Sequence, residues 1–286
     1  MFSIFATQPT QFTLSRHFHE FRHVHAIQTM DMADAAGIVT YTQGFTPYIE
    51  NTLKDNALSL PLPRLHESDH DVTPVTVLAM LEFPNVDTMN GTFKSPEYQA
   101  TSGAHVFANP EVIYITESLE SLAEQARTFG LVNQSSHAYR GLSRARLVFA
   151  LAPQSTSPFK TQWDDHATLV HKLIGEFVCQ TEALPLSQLP MVEYQRQISS
   201  NMTQEQLDGV LDGSPFRQAK YRVTNGGYEE LAFLHMGLLV SFVKLYGDQL
   251  RASFTTFVDM QPAVNSTPPS FAIICDETRI VDSTTS

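Results

Sequence analysis

Phe18-His19-Glu20-Phe21-Arg22-His23-Val24-His25 has a counterpart far along the chain in Phe159-Lys160-Thr161-Gln162-Trp163-Asp164-Asp165-His166, each a Phe followed seven residues later by a His. Three shorter pairs follow in the same order. Ile38-Val39-Thr40-Tyr41 is answered by Met191-Val192-Glu193-Tyr194, Ala79-Met80-Leu81-Glu82 by Ala232-Phe233-Leu234-His235, and Val106-Phe107-Ala108-Asn109 by Thr256-Phe257-Val258-Asp259. Four pairs kept in order over two stretches of roughly 130 residues are the mark of a duplicated domain. The chain therefore reads as a covalent pseudo-dimer, with residues 1–132 as one half, 133–143 as a polar, Gly-containing linker and 144–286 as the second half.

The same order of elements is expected in each half. In the first, Phe2 to Thr7 is a short apolar run, and Leu14 to Met30 places Phe18, Phe21 and His25 at helical spacing. Gly37 to Phe45 and Val75 to Phe83 read as strands, the latter bounded by Pro74 and Pro84. Val86 to Ala100 reads as a helix interrupted near Ser95-Pro96, since proline fits a first turn but not a helix interior. Glu111 to Glu117 closes the half as a fourth strand. In the second half, the strands are Ala145 to Ala152, Pro190 to Ile198, Tyr228 to Met236 and Ser270 to Cys275, and the helices are Trp163 to Val178 and Leu238 to Phe254. This is an α+β protein of two ferredoxin-like βαββαβ halves. Pro61 to His70 and Asn201 to Arg217 are the long loops, and loops of that length are either functional or inert insertions.

Composition narrows the partners. A share of 42% hydrophobic and 17% charged residues supplies two cores, and no segment approaches the roughly 18 apolar residues of a membrane span. The net charge of -12, with no basic stripe, argues against nucleic acid and leaves a small molecule or a protein as partner. The Met-Phe-Ser-Ile-Phe start lacks the pattern of a secretory signal, so a cytoplasmic protein is expected. Cys179 and Cys275 read as two buried thiols.

The combination of Phe18-x-x-Phe21-x-x-x-His25-Ala26, Gly37-Ile38-Val39-Thr40-Tyr41-Thr42-Gln43, Ser95-Pro96-Glu97-Tyr98 and His105-Val106-Phe107-Ala108-Asn109 resembles the EthD-like members of the dimeric α/β-barrel superfamily. It is most similar to the fungal EthD-domain proteins of aromatic polyketide pathways, several of which are cofactor-free decarboxylases. The resemblance covers about residues 10–118 clearly and 145–280 as a worn second copy. It implies that two sheets pack face to face as a barrel, here from one chain, which is either a complete monomeric pseudo-dimer or a homodimer. The chain departs from the family at Asn109, where an acidic residue is frequent, and its second half has no counterpart of His105.

The chemistry can also be read from the residues. Decarboxylation of a phenolic or β-keto acid, aldol cyclisation and dehydration all need a proton donor or acceptor beside a stabilised enolate. Histidine serves either role near neutral pH. His25 shares a helix face with Phe18 and Phe21, so it either lines a pocket or is a satisfied core residue. His105 lies where a loop can close on a pocket mouth or stand in solvent, and Tyr41 can offer a hydroxyl to a developing enolate or simply fill the core. The expected catalytic set is His25, His105 and Tyr41, with Phe21, Gln43, His166 and Tyr194 binding substrate. A carrier or interaction protein of the same fold is the alternative. His19 and His23, four apart, have no third ligand in a recognised motif, and no phosphate loop, nucleophile elbow or dinucleotide fingerprint is present. No cofactor and no metal are expected.

Overall fold

The computed structural model describes residues 1–46, 58–63, 75–102, 108–121, 144–154, 158–181, 192–260 and 270–282. The first half runs β1 (Phe2–Thr7), α1 (Leu14–His19), a π-helical segment (Glu20–His25), α2 (Ala26–Ala36), β2 (Thr40–Phe45), β3 (Val75–Glu82), α3 (Val86–Lys94), α4 (Pro96–Ser102) and β4 (Asn109–Ser121). The second runs β5 (Arg144–Leu151), α5 (Phe159–Thr181), β6 (Val192–Ser199), α6 (Gln204–Val210), a 3-10 turn (Pro215–Gln218), β7 (Tyr221–Val223), β8 (Gly227–Phe233), α7 (Met236–Phe254) and β9 (Phe271–Asp282). The linker and His105 lie outside the described residues.

The strands form one sheet in the order β1-β3-β2-β9-β5-β8-β6-β4, which closes on itself because β4 also pairs with β1. Every pairing in this barrel is antiparallel, and β7 lies parallel beside β4 outside the circuit. Within each half the strands take the order fourth, first, third, second. The halves join where β2 meets β9 and β4 meets β6. Closure removes the sheet edges that would otherwise invite aggregation.

Both joints are made by polar extensions. β9 continues past Cys275 through Asp276-Glu277-Thr278-Arg279, and β4 continues past Glu117 to Ser121. The expected fourth strands ended at Cys275 and Glu117, because a strand held by backbone bonds to its neighbour need not be apolar. The expected β2 began three residues early. Gly37 instead ends α2 in the left-handed conformation (φ 64°), with Ile38 N–H donating to the Ala33 carbonyl at 2.9 Å, a glycine stop rather than a strand start.

Alternation along the strands sorts the side chains into three cores. Phe2, Ile4, Tyr41, Val77, Ala79 and Ile113 face outward beneath the first-half helices. Leu147, Phe149, Tyr194, Leu231 and Ile274 do the same beneath α5 and α7. Phe5, Leu78, Tyr114, Val148, Tyr228, Ile273 and Cys275 point into the barrel, which is therefore a packed core drawn from both halves. Gly44 belongs to this interior because a Cβ there would stand 2.6 Å from Cys275 Sγ. Cys275 is buried as expected, but Cys179 is exposed on α5.

Each half also braces the other. Leu60 and Leu62 of the first half insert into the second-half core, and Ala272 N–H donates to the Pro63 carbonyl at 2.8 Å. Conversely, Leu207, Val210, Leu211 and Phe216 of the second half pack into the first-half core. The stretch Asn201 to Arg217, expected as a loop, is thus a folded insertion. Thr203 and Gln206 form a capping box at the start of α6, a pattern legible in Thr203-x-x-Gln206.

Candidate functional site

Gln43 organises the first-half site. It stands on β2 two residues beyond Tyr41, so both point outward toward the helix. Its Nε2 donates to the Phe21 carbonyl at 2.7 Å and to the Tyr41 hydroxyl at 2.7 Å. The Phe21 carbonyl belongs to the π-helical stretch, where the wider turn re-aims backbone groups, a feature frequent at functional sites. With both amide hydrogens committed, Tyr41 accepts from Gln43 and keeps its own proton to donate. Burial holds the Tyr41 phenol above its ordinary range, so the proton stays on the ring oxygen at physiological pH.

His25 ends the π-helical stretch, its ring 5.6 Å from Phe21 and 5.8 Å edge-on to Tyr41. These contacts bring together four of the residues expected from sequence: His25, Phe21, Tyr41 and Gln43. His25, 8% exposed, lines a cavity of about 30 Å³ with Ile4, Ala6, Val77, Ala79 and Phe216 among its walls. Among the described lining residues it alone is ionisable. Tyr41 and Gln43 stand behind it rather than on the cavity wall. The neighbouring histidines have other places: His17 Nε2 and Thr76 Oγ1 are 2.9 Å apart in the core, while His19 and His23 are exposed with rings 5.2 Å apart. Among the described residues no three His, Cys, Asp or Glu side chains converge as a metal site, and no helix is long and apolar enough to cross a membrane.

Strand register defines the equivalent place in the second half. Tyr41 pairs across to Leu81 and on to Phe2, as Tyr194 pairs to Leu231 and on to Leu147. One step along, Gln43, Ala79 and Ile4 correspond to Arg196, Glu229 and Phe149. The next row matches Val77 and Ala6 with Gly227 and Leu151. Ala79 therefore corresponds to Glu229, not to Ala232, which faces the barrel interior. The short Ala-x-Leu pairing in the sequence is out of register by three residues.

The helix match shifts as well. The ring standing edge-on to Tyr194, at 5.4 Å, is that of His171, whereas His166 lies 4.3 Å from Phe254. His171 was missed because it sits outside the Phe-x6-His spacing, and its signal was the pairing with a strand tyrosine seen only in three dimensions.

Where the first half has Ile4, Ala6, Val77 and Ala79 on the cavity wall, the second half has Phe149, Leu151, Gly227 and Glu229 at the matching strand positions. Trp163 fills the space over Gly227, where a Cβ would meet its ring at 2.7 Å. Glu229 accepts from Trp163 Nε1 at 2.8 Å and Tyr194 Oη at 2.9 Å, and bonds His166 Nε2 at 2.8 Å; His166 Nδ1 and Ser253 Oγ are 2.8 Å apart. Burial pushes the Glu229 carboxyl up, but His166 and the two donors outweigh it and hold the group below its ordinary value. The Ser-His-Glu order resembles a hydrolytic triad. Ser253, however, lies in the last turn of α7, where the carbonyl end of the helix disfavours an oxyanion. The second-half arrangement is a plug.

A group whose folded pKa is depressed contributes stability above its unfolded pKa and loses it as pH falls through the folded value. Wild type is accordingly expected to lose stability in acid through Glu229. Glu229→Gln should already be destabilised at neutral pH by about 1.5–3 kcal/mol, the range for a hydrogen bond to a charged group, and should show a flatter acid limb in urea titrations run across pH. An unchanged acid limb would remove Glu229 from this role.

No family model and no curated protein matches the sequence. Among solved structures, the chain is similar to one described as a "putative monooxygenase" from Lactobacillus acidophilus, at 9% identity and a TM-score of 0.39, over 98% of this chain and 93% of that one.

Proposed function

We propose that the protein is a cofactor-independent natural-product enzyme, acting on a polyketide-like aromatic intermediate as a decarboxylase or as a cyclase or dehydratase. We further propose that its two halves are duplicated ferredoxin-like units, of which the first keeps the working pocket. The observation that carries the reading is His25 as the one ionisable group on the described wall of an apolar cavity. In that setting a histidine exchanges a proton with bound substrate while water is kept away. Tyr41 and Gln43 act through His25 by fixing the helix and the ring. Phe21 contributes an aromatic wall. His166 and Tyr194 belong to the plug and serve stability, and His105, outside the described residues, is kept as the second candidate acid or base.

Deleting the gene in its source organism and comparing metabolites by mass spectrometry tests this. A precursor heavier than the lost product by carbon dioxide or by water identifies the reaction. An unchanged metabolite profile favours a carrier or interaction protein instead.

A further inference from the structure

We infer that Phe216 decides which ligands the first-half pocket accepts, by standing where one aromatic ring of the ligand binds; this rests on the reading of the His25 cavity as the ligand site. The cavity of about 30 Å³ holds about one water, whereas ligand pockets run to roughly 300–1,000 Å³. A wall must therefore give way for a ligand. Ile4, Ala6, Val77 and Ala79 are held in the barrel strands, and Phe21 and His25 are tied to β2 through Gln43 and Tyr41.

Phe216 differs from these walls in origin. It comes from the second half, on the 3-10 turn that follows Gly213, whose φ of 77° marks a position suited to glycine. The Gly213 carbonyl accepts from Gln99 of the first half at 3.2 Å, an exposed bond. The insertion is tied to the first half on either side of the turn, by this bond before it and, after it, by Tyr221–Val223 running parallel to Val112–Tyr114 and by Lys220 lying 3.6 Å from Glu111. Phe216 is thus the one large side chain among the described lining that neither a barrel strand nor the His25 helix carries, so room for a ligand comes from displacing its ring.

The Phe216 ring also reports what the space accepts. Its centroid lies 5.2 Å from Phe2 at 65° and 5.7 Å from Phe93 at 54°, the spacing and tilt of favourable aromatic pairs. The matching ligand is a flat, apolar molecule of one or two fused aromatic rings, carrying a phenolic or enolic hydroxyl that reaches His25. The second half of the chain, where Trp163 and Glu229 fill the matching place, supplies the selective wall of the first.

The test uses the full chain with α-naphthol as probe, measured by titration calorimetry and by the imidazole NMR resonance of His25. Phe216→Ala is expected to bind at least about tenfold tighter than wild type, Phe216→Leu to fall between, and Phe216→Trp to bind no tighter than wild type; circular dichroism checks each fold. Equal binding by wild type, Phe216→Ala and Phe216→Leu overturns the inference. So does a gain in Phe216→Ala that survives when Ala79→Phe fills the cavity floor. A gain abolished by Ala79→Phe but leaving the His25 resonance unmoved upholds Phe216 as the selective wall and removes His25 from the chemistry.

Discussion

His25→Ala is expected to lower turnover by about 10²–10⁴-fold, the range for loss of a positioned general acid or base. The size of the effect follows from the surroundings. The other described lining residues of the cavity carry no ionisable side chain, so none of them can take over the proton. His25→Gln keeps much of the side-chain volume and separates chemistry from packing. It should be as inactive as His25→Ala, with a melting midpoint nearer wild type. In a deletion strain, either variant should fail to restore the missing product. Full restoration by His25→Gln would make His25 a core residue and end the acid/base mechanism.

Arg146→Leu is expected to destabilise the fold by about 3–5 kcal/mol, because it leaves buried carboxylates uncompensated. Arg146 lies inside the barrel, wholly enclosed. Its Nε donates to Glu277 Oε2 at 2.9 Å, it pairs with Glu230, and its guanidinium lies 3.8 Å from Met80 Sδ of the first half. Burial pushes the Glu230 carboxyl up, and Arg146 does not fully offset the rise. A raised folded pKa contributes stability at low pH that is lost as pH rises through the folded value, the reverse of Glu229 on the other face of the same strand. Urea denaturation should therefore show the deficit of Arg146→Leu growing from acid to neutral pH. Adding Glu230→Gln and Glu277→Gln should recover part of it. A midpoint close to wild type at neutral pH would mean that the interior admits water to these carboxylates.

Much of the framework could be read without coordinates. β1 spans Phe2 to Thr7 as expected, and β3 and β5 fall within a residue of their expected bounds, because buried strands are unbroken apolar runs. The position of His25 on an aromatic helix face also follows from periodicity, and that of Tyr41 from its β-rich run, whereas Gln43 entered through the resemblance. The insertion at 201–223 was harder to read because its apolar residues serve a core belonging to the other half. Leu207, Leu211 and Phe216 look like a scattered loop unless the first-half helices are set beside them. The π-helical turn leaves no pattern that distinguishes it from ordinary helix.

The sequence by itself determined the local elements, the repeated order and the chemical character of each face, since these depend on side-chain spacing along a single strand or helix. Tertiary structure alone decided that Trp163 and Glu229 fill in the second half the place that the cavity takes in the first. That outcome depends on strand register, and a slip of three residues exchanges inward and outward faces and puts Glu229 where Ala79 stands. Trp163 over Gly227, Glu229 with His166, and Phe216 reaching across from the other half are contacts between distant segments. Their energetics arise only once the barrel has closed.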